Sequence, residues 1–327
     1  MTFGPAAGHL QAASASRPTA KKSQTTKNKK TYYSVQRSRV RRARLARARA
    51  AARARLVRDT PIPRFKMDSN GDVVPDVHAA AAIIYNPATN EVLWEENSQD
   101  KRSIASITKV MTATVFAESD PDLSQQVLVD RSDVRAASTT HLRANERVSI
   151  GDLLHLLLIS SDNAAARALA RVSPWGSTGF VARMNEKAAE LGLQNTSYAD
   201  PSGLDAANVS SAYDMARLIS YAAGDERISE IMRLPDYTVV TSRRTIAIHS
   251  TNQLVRRGDL DVRGGKTGFI GKAGYCLATL LRLPEVNQQV AVVVLGARSN
   301  TGRFMETRNL FDWLSTKAQE LFKKNPE

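Results

Sequence analysis

One cysteine stands in 327 residues, so no disulfide can form within the chain. Cys276 lies in the apolar run Tyr275-Cys276-Leu277-Ala278, where a thiol packs as a small hydrophobe, and is expected to be buried and inert. Such economy suits a cytosolic protein and equally an exported one that folds without bridges. The five histidines (His9, His78, His141, His155 and His249) are scattered without ligand spacing, so no metal or other cofactor is expected. His155, in an apolar helical run, reads as a satisfied core residue. No stretch reaches the ~20 apolar residues that cross a bilayer as a helix. The opening residues also lack the apolar core of about 7–15 residues that a secretory signal carries, although Ala12-Ala13-Ser14-Ala15-Ser16 resembles the small-residue end of one.

Acid is nearly absent from the first fifth of the chain. Residues 1–66 hold 18 Lys or Arg and one acid, Asp59, a net of +17; the remainder holds 28 bases and 31 acids, a net of −3. The overall +14 therefore belongs to a tail. Residues 1–36 are rich in Ala, Ser, Thr and Lys without apolar periodicity and read as disordered. Over 37–58 ten Arg alternate with seven Ala, a helix-prone composition opposed by charge repulsion and lacking an apolar stripe to dock it. Such a segment suits an anionic membrane surface or wall polymer. Nucleic acid would attract it as well, but only Tyr32 and Tyr33 offer interleaved aromatics. Thr60-Pro61-Ile62-Pro63 reads as a stiff connector, with a linker over 67–75.

The chain's 42% apolar and 24% charged content is the balance of a globular protein, and residues 76–327 read as its folded body. Ala79–Tyr85 and Glu91–Glu95 flank the turn Asn86-Pro87-Ala88-Thr89-Asn90 and predict a β-hairpin. Helices are expected over 105–117, 150–171, 177–192 and 211–223. Strands are expected over 274–283 and 289–296, parted by a turn at Pro284-Glu285, with a closing helix over 301–322. Strands, helices, then strands and a helix predict an α+β antiparallel sheet with a helical region packed on it.

Three short motifs carry chemistry. In Ser106-Ile107-Thr108-Lys109, helical spacing puts hydroxyl and amine on one face, and a desolvated amine can take the hydroxyl's proton. Ser161-Asp162-Asn163 lies 55 residues on, between the apolar run Leu153–Ile159 and Ala164-Ala165-Ala166. It reads either as a helix cap or as a hydroxyl and an amide projecting into a cleft. Lys266-Thr267-Gly268, after Gly264-Gly265, reads as a glycine-rich turn before an edge strand or as a carboxylate-holding pair beside a close backbone approach.

Together and in this order, the motifs resemble the signature set of penicillin-binding proteins and class A β-lactamases. The surrounding sequence, Ala105–Ala113, Leu157–Ala166, Thr196–Leu204 and Gly265–Leu277, resembles the D-alanyl-D-alanine carboxypeptidase family of low-molecular-mass penicillin-binding proteins over roughly residues 76–318. The resemblance implies a β-lactamase/DD-peptidase-like fold, an extracytoplasmic site of action, peptidoglycan stem peptides ending in D-Ala-D-Ala as substrates, and β-lactams as covalent inhibitors. It further implies Ser106 as nucleophile, Lys109 as its base, Ser161 as proton relay to the leaving amine, and Asn163 as orienting amide. Lys266 would hold Lys109 partly neutral, Thr267 would bind the terminal carboxylate, and the N–H groups of Ser106 and Phe269 would form the oxyanion hole. Arg303, otherwise readable as a helix-surface residue, matches a carboxylate-binding position.

Only 59 residues follow Gly268, too few for the second β-rich domain of many members. The chain thus resembles shorter members, some of which are endopeptidases, whereas Arg303 favours a free carboxylate. Phe269 replaces a residue more common after Lys-Thr-Gly and would reshape the pocket. A class A β-lactamase also needs a carboxylate for deacylation; the nearest, Glu186 and Glu190, lie in a plain amphipathic helical pattern, so slow turnover of penicillin is expected. A silent wall-binding homologue would have no need of all these side chains.

Overall fold

The predicted hairpin forms from Ala81–Asn86 (β1) and Glu91–Glu96 (β2). Its turn is closed by Asn86 Oδ1, which accepts from Ala88 N at 3.0 Å, and by the left-handed residue Asn90, φ 62°, to which the Tyr85 hydroxyl donates at 2.7 Å. Val262–Ile270 (β3), Gly274–Leu283 (β4) and Gln288–Ala297 (β5) complete a five-stranded antiparallel sheet in the order β3-β4-β5-β1-β2. The computed structural model describes residues 42–48, 51, 63–259, 261–284 and 286–321, with side chains to 318.

β1 is buried at all six positions because both sheet faces are covered. Alternate residues serve different layers. Ala82, Ile84, Val292 and Val294 pack with Phe304, Leu310, Phe311 and Leu314 of the closing helix, Asn300–Leu321. Ala81, Ile83, Tyr85, Val293 and Leu295 face the helical region. At its centre Thr108–Ala117 (α1) is buried at all ten residues and follows a 3-10 turn over Ala105–Ile107. Ile150–Leu158 (α2), Asn163–Val172 (α3), Gly176–Glu190 (α4) and Ala212–Ala222 (α5) surround it.

The helix expected over 150–171 is therefore two, broken at 159–162. Further elements escaped the sequence pattern, among them a helix at Glu226–Arg233 and the ribbons Gln126–Leu128 with Arg147–Ser149 and Asp236–Val240 with Thr245–His249. These strands hold three to five residues with few buried positions, too short for a period to show.

The chain divides into the units Met1–Ala54 and Arg55–Glu327, earlier than the expected boundary at 66. In the first, residues 42–48 are an exposed helical stretch. The linker expected over 67–75 is instead the turn and second strand of a short ribbon: Phe65–Met67 pairs with Val73–Pro75. Val73 O accepts from Trp313 Nε1 at 3.3 Å, and the Glu306 carboxylate accepts from the N–H groups of His78 and Ala79 at 3.2 and 2.9 Å. These bonds order the chain before residue 76. The expectations for residues 1–36 and Thr60-Pro61-Ile62 lie outside the described residues. Cys276 is fully buried, and burial pushes its thiol up to about 11, as an inert packing residue requires. His155 is half-buried rather than core, with Nδ1 bonded to Gly151 O at 2.7 Å and its ring stacked on Tyr237.

Candidate active site

Ser106 sits in the 3-10 turn that opens α1, immediately after Ala105, whose φ of 49° is unusual for a residue with a side chain. One turn on, Lys109 is completely buried, and its Nζ lies 3.1 Å from Ser106 Oγ. The same nitrogen donates to Asn163 Oδ1 at 2.6 Å and to Ser202 O at 2.5 Å. Burial lowers the ammonium's pKa from 10.5 to about 7; Asp162 and Asp200 oppose the shift and Arg167 adds to it.

Ser161-Asp162-Asn163 fills the break between α2 and α3, and both readings of it hold, at different residues. Asp162 caps α3, accepting from Ala165 N at 3.0 Å with one oxygen and from His141 N at 2.5 Å with the other. Asn163 turns inward, its amide oriented by donation from Nδ2 to Ala137 O at 2.7 Å, which leaves Oδ1 for Lys109. Ser161 is left-handed, φ 61°, and this conformation aims its hydroxyl at Lys266, whose Nζ donates to it at 2.9 Å.

Lys266-Thr267-Gly268 lies within edge strand β3 rather than in a turn before it. The strand passes so close to the turn that carries Ser106 that a Cβ at Gly268 would lie 2.6 Å from Ile104 O. Lys266 is buried, and its ammonium's pKa is lowered by desolvation and then by the positive charges of Lys109 and Arg303. For Lys109 itself burial is the largest cause, and Arg167 is the cation that adds to it. Thr267 Oγ1 donates to Thr251 Oγ1 at 2.7 Å.

Arg303 is not on the helix surface: it is 6% exposed, with Nη1 donating to Gly268 O and Cys276 O at 2.9 and 3.1 Å and Nη2 to Asn300 Oδ1 at 2.6 Å. Its Nε has no protein partner, and, among the described residues, no carboxylate lies within ion-pairing distance of its guanidinium. Phe269 is 51% exposed and its ring stacks on Tyr275 at 4.3 Å.

All nine expected residues thus converge on one region. Ser106, Ser161, Asn163, Thr267, Gly268, Phe269 and Arg303 line one cleft of about 440 Å³, with Lys109 and Lys266 buried behind it. Sequence reasoning missed Ser138, Thr139 and Thr251 in the lining, and Ser202, whose backbone carbonyl carries no sequence signal. No Asp or Glu is among the described lining residues.

A family model described as D-alanyl-D-alanine carboxypeptidase matches residues 68–299. The chain belongs to that family. It is 33% identical over 246 residues to a D-alanyl-D-alanine endopeptidase of Escherichia coli (strain K12), covering 74% of this chain and 79% of that one. A D-alanyl-D-alanine carboxypeptidase of Bacillus subtilis (strain 168) is 31% identical over 257 residues, 76% and 65% of the two chains. The solved Streptomyces K15 DD-transpeptidase superposes with a TM-score of 0.68 at 28% identity, covering 73% of this chain and 97% of that one. The carboxypeptidase-family member described here is therefore a serine peptidase with the α+β fold of the DD-peptidases. Glu186 and Glu190, the carboxylates weighed for a β-lactamase, lie on α4 and pair with Arg183, away from the cleft lining.

Proposed function

We propose that the enzyme is a serine-type D-alanyl-D-alanine carboxypeptidase acting on peptidoglycan stem peptides, with Ser106 as nucleophile and Lys109 as its base. The observation that carries this reading is the buried Lys109 amine, 3.1 Å from Ser106 Oγ and near-neutral in pKa. A neutral amine has two N–H groups and one lone pair. Asn163 Oδ1 and Ser202 O take the two hydrogens, which leaves the lone pair for the Ser106 proton. Ser106 Oγ then attacks the penultimate D-Ala carbonyl, and the oxyanion forms between the N–H groups of Ser106 and Phe269. Ser161, held by Lys266, returns a proton to the departing D-Ala amine; water afterwards cleaves the acyl ester. Thr267 and Lys266 hold the terminal carboxylate, and the buried, acid-free Arg303 adds positive potential to the same end of the cleft. That potential suits a carboxylate beside the scissile bond, as a terminal D-Ala supplies; endopeptidase action, the activity named for the Escherichia coli relative, is the second reading.

Because no carboxylate of the kind a β-lactamase uses for deacylation is among the described lining residues, penicillin is expected to acylate Ser106 and to be released slowly. Intact-mass measurement after incubation with penicillin tests this: a persistent adduct is expected on the native chain and none on Ser106→Ala. Rapid repeated hydrolysis of penicillin, or no adduct on folded protein, defeats the reading. Digests of purified muropeptides then separate release of terminal D-Ala from cleavage of cross-links.

We also place the reaction outside the cytoplasm, where the basic tail would bind an anionic surface.

A further inference from the structure

The base has a second wall that none of the three motifs supplies. The turn 200–205 winds about a single carboxylate: Asp200 Oδ1 accepts from Ser202 N at 2.6 Å, from Gly203 N at 2.5 Å and from Ser202 Oγ at 3.1 Å, while Oδ2 accepts from Asp205 N at 2.7 Å. Two consequences reach the reacting atoms. Ser202 O is presented to Lys109 Nζ at 2.5 Å. Gly203, at φ +80°, is pressed against the turn that carries Ser106, so close that a Cβ there would lie 2.1 Å from Ala105 O. One carboxylate thus fixes the amine's acceptor and buttresses the nucleophile.

We infer that Asp200 is a positioning residue of the reaction, shaping the Ser202–Gly203 turn against Lys109 and Ser106 and setting a negative charge beside the base. The inference rests on Lys109 being that base. Four charged groups act on Lys109 or share its cavity: Asp162 from the break before α3, Arg167 from α3, Asp200 from this turn and Lys266 from β3. Asp162 and Asp200 favour the ammonium, and Arg167 opposes it. Removing the Asp200 charge therefore favours the free amine at lower pH, while loosening the turn slows attack at every pH.

The experiment measures the second-order rate of acylation by penicillin against pH for the full chain and for Asp200→Asn. The expected result is an acid limb displaced downward by about half to one pH unit, with a plateau lowered about three- to thirtyfold. Asp200→Glu, which retains the charge, is expected to keep the native limb while losing plateau rate. Should the amide variant not fold, Asp200→Ser, whose hydroxyl can still close a turn, reads the same limb. A purely structural residue would lower the plateau or the melting temperature without moving the limb, and an unmoved limb in folded Asp200→Asn or Asp200→Ser overturns the inference. Lys109→Met separates the two ideas: acylation lost there with the Asp200 limb unmoved sinks only this inference, whereas native acylation in Lys109→Met sinks the base assignment beneath it.

Discussion

Lys109 and Lys266 are two buried amines, and on the proposed mechanism the charge of Lys109 sets the pH at which Ser106 is acylated. Lys109, lowered to about 7, is ammonium below that pH and then has no lone pair for Ser106. Acylation should fall about tenfold per unit as pH drops below 7 and level off above it. Lys109 makes Lys266 harder to charge, whereas the shift of Lys109 itself comes first from burial. Replacing Lys266 by Met keeps much of its volume and the burial of Lys109, so the acid limb should stay near its native pH, unlike that of Asp200→Asn. The plateau should also drop about tenfold to a hundredfold, because Ser161 loses its partner and the carboxylate its cation. Acylation rates across pH 5 to 9, about two units either side of the limb, measure both effects. A limb in Lys266→Met displaced as far as that of Asp200→Asn would contradict burial as the main cause of the Lys109 shift.

At the level of elements, the three motifs were legible because each places a side chain at a junction: a helix start, a helix break and a strand edge. Ser106 and Lys109 follow helical spacing, and Asp162 carries an ordinary capping signature, so sequence spacing locates them. The Asp200 turn was legible only as a stretch of family resemblance. Its work is done by backbone atoms, the Ser202 carbonyl and the Gly203 N–H, and side-chain identity does not announce where a carbonyl points. Of the two readings of Lys266-Thr267-Gly268, the turn before a strand gives way to the strand itself; glycines weaken strand patterns, and here they are demanded by close approach. The ribbon at 65–75 was missed for want of length. Gly203 gives the sharpest test of element packing. Gly203→Ala must relieve the approach of its Cβ to within 2.1 Å of Ala105 O and hold φ +80° at once. Destabilisation of about 2 kcal/mol or more is expected in thermal or urea unfolding. In addition, acylation should slow at least about tenfold at every pH, because the turn under Ser106 shifts. Native stability and rate in that variant would mean the two turns do not press on each other.

For the whole molecule, the division of charge is the dominant fact: +17 in the first 66 residues and −3 in the remainder. A folded body of slightly negative charge has no electrostatic reason to approach an anionic membrane, so attraction must come from the tail. Each Lys or Arg held near such a surface contributes about 1 kcal/mol, and salt screens that contribution over a Debye length of ~8 Å at physiological strength. The full chain should therefore co-sediment with phosphatidylglycerol vesicles at low salt, release at high salt, and ignore phosphatidylcholine vesicles. A full-length variant with Arg41, Arg42, Arg44 and Arg47 changed to Gln removes four charges from the exposed helical stretch at 42–48 and its flank. It should bind anionic vesicles at least about tenfold more weakly. Its penicillin acylation should be unchanged, because the cleft lies wholly within the second unit. Equal binding to neutral vesicles, or binding that salt does not weaken, would show that the tail's charge is not what holds the enzyme to a surface. Affinity confined to isolated wall polymer would move the partner from lipid to wall while leaving the electrostatic argument in place.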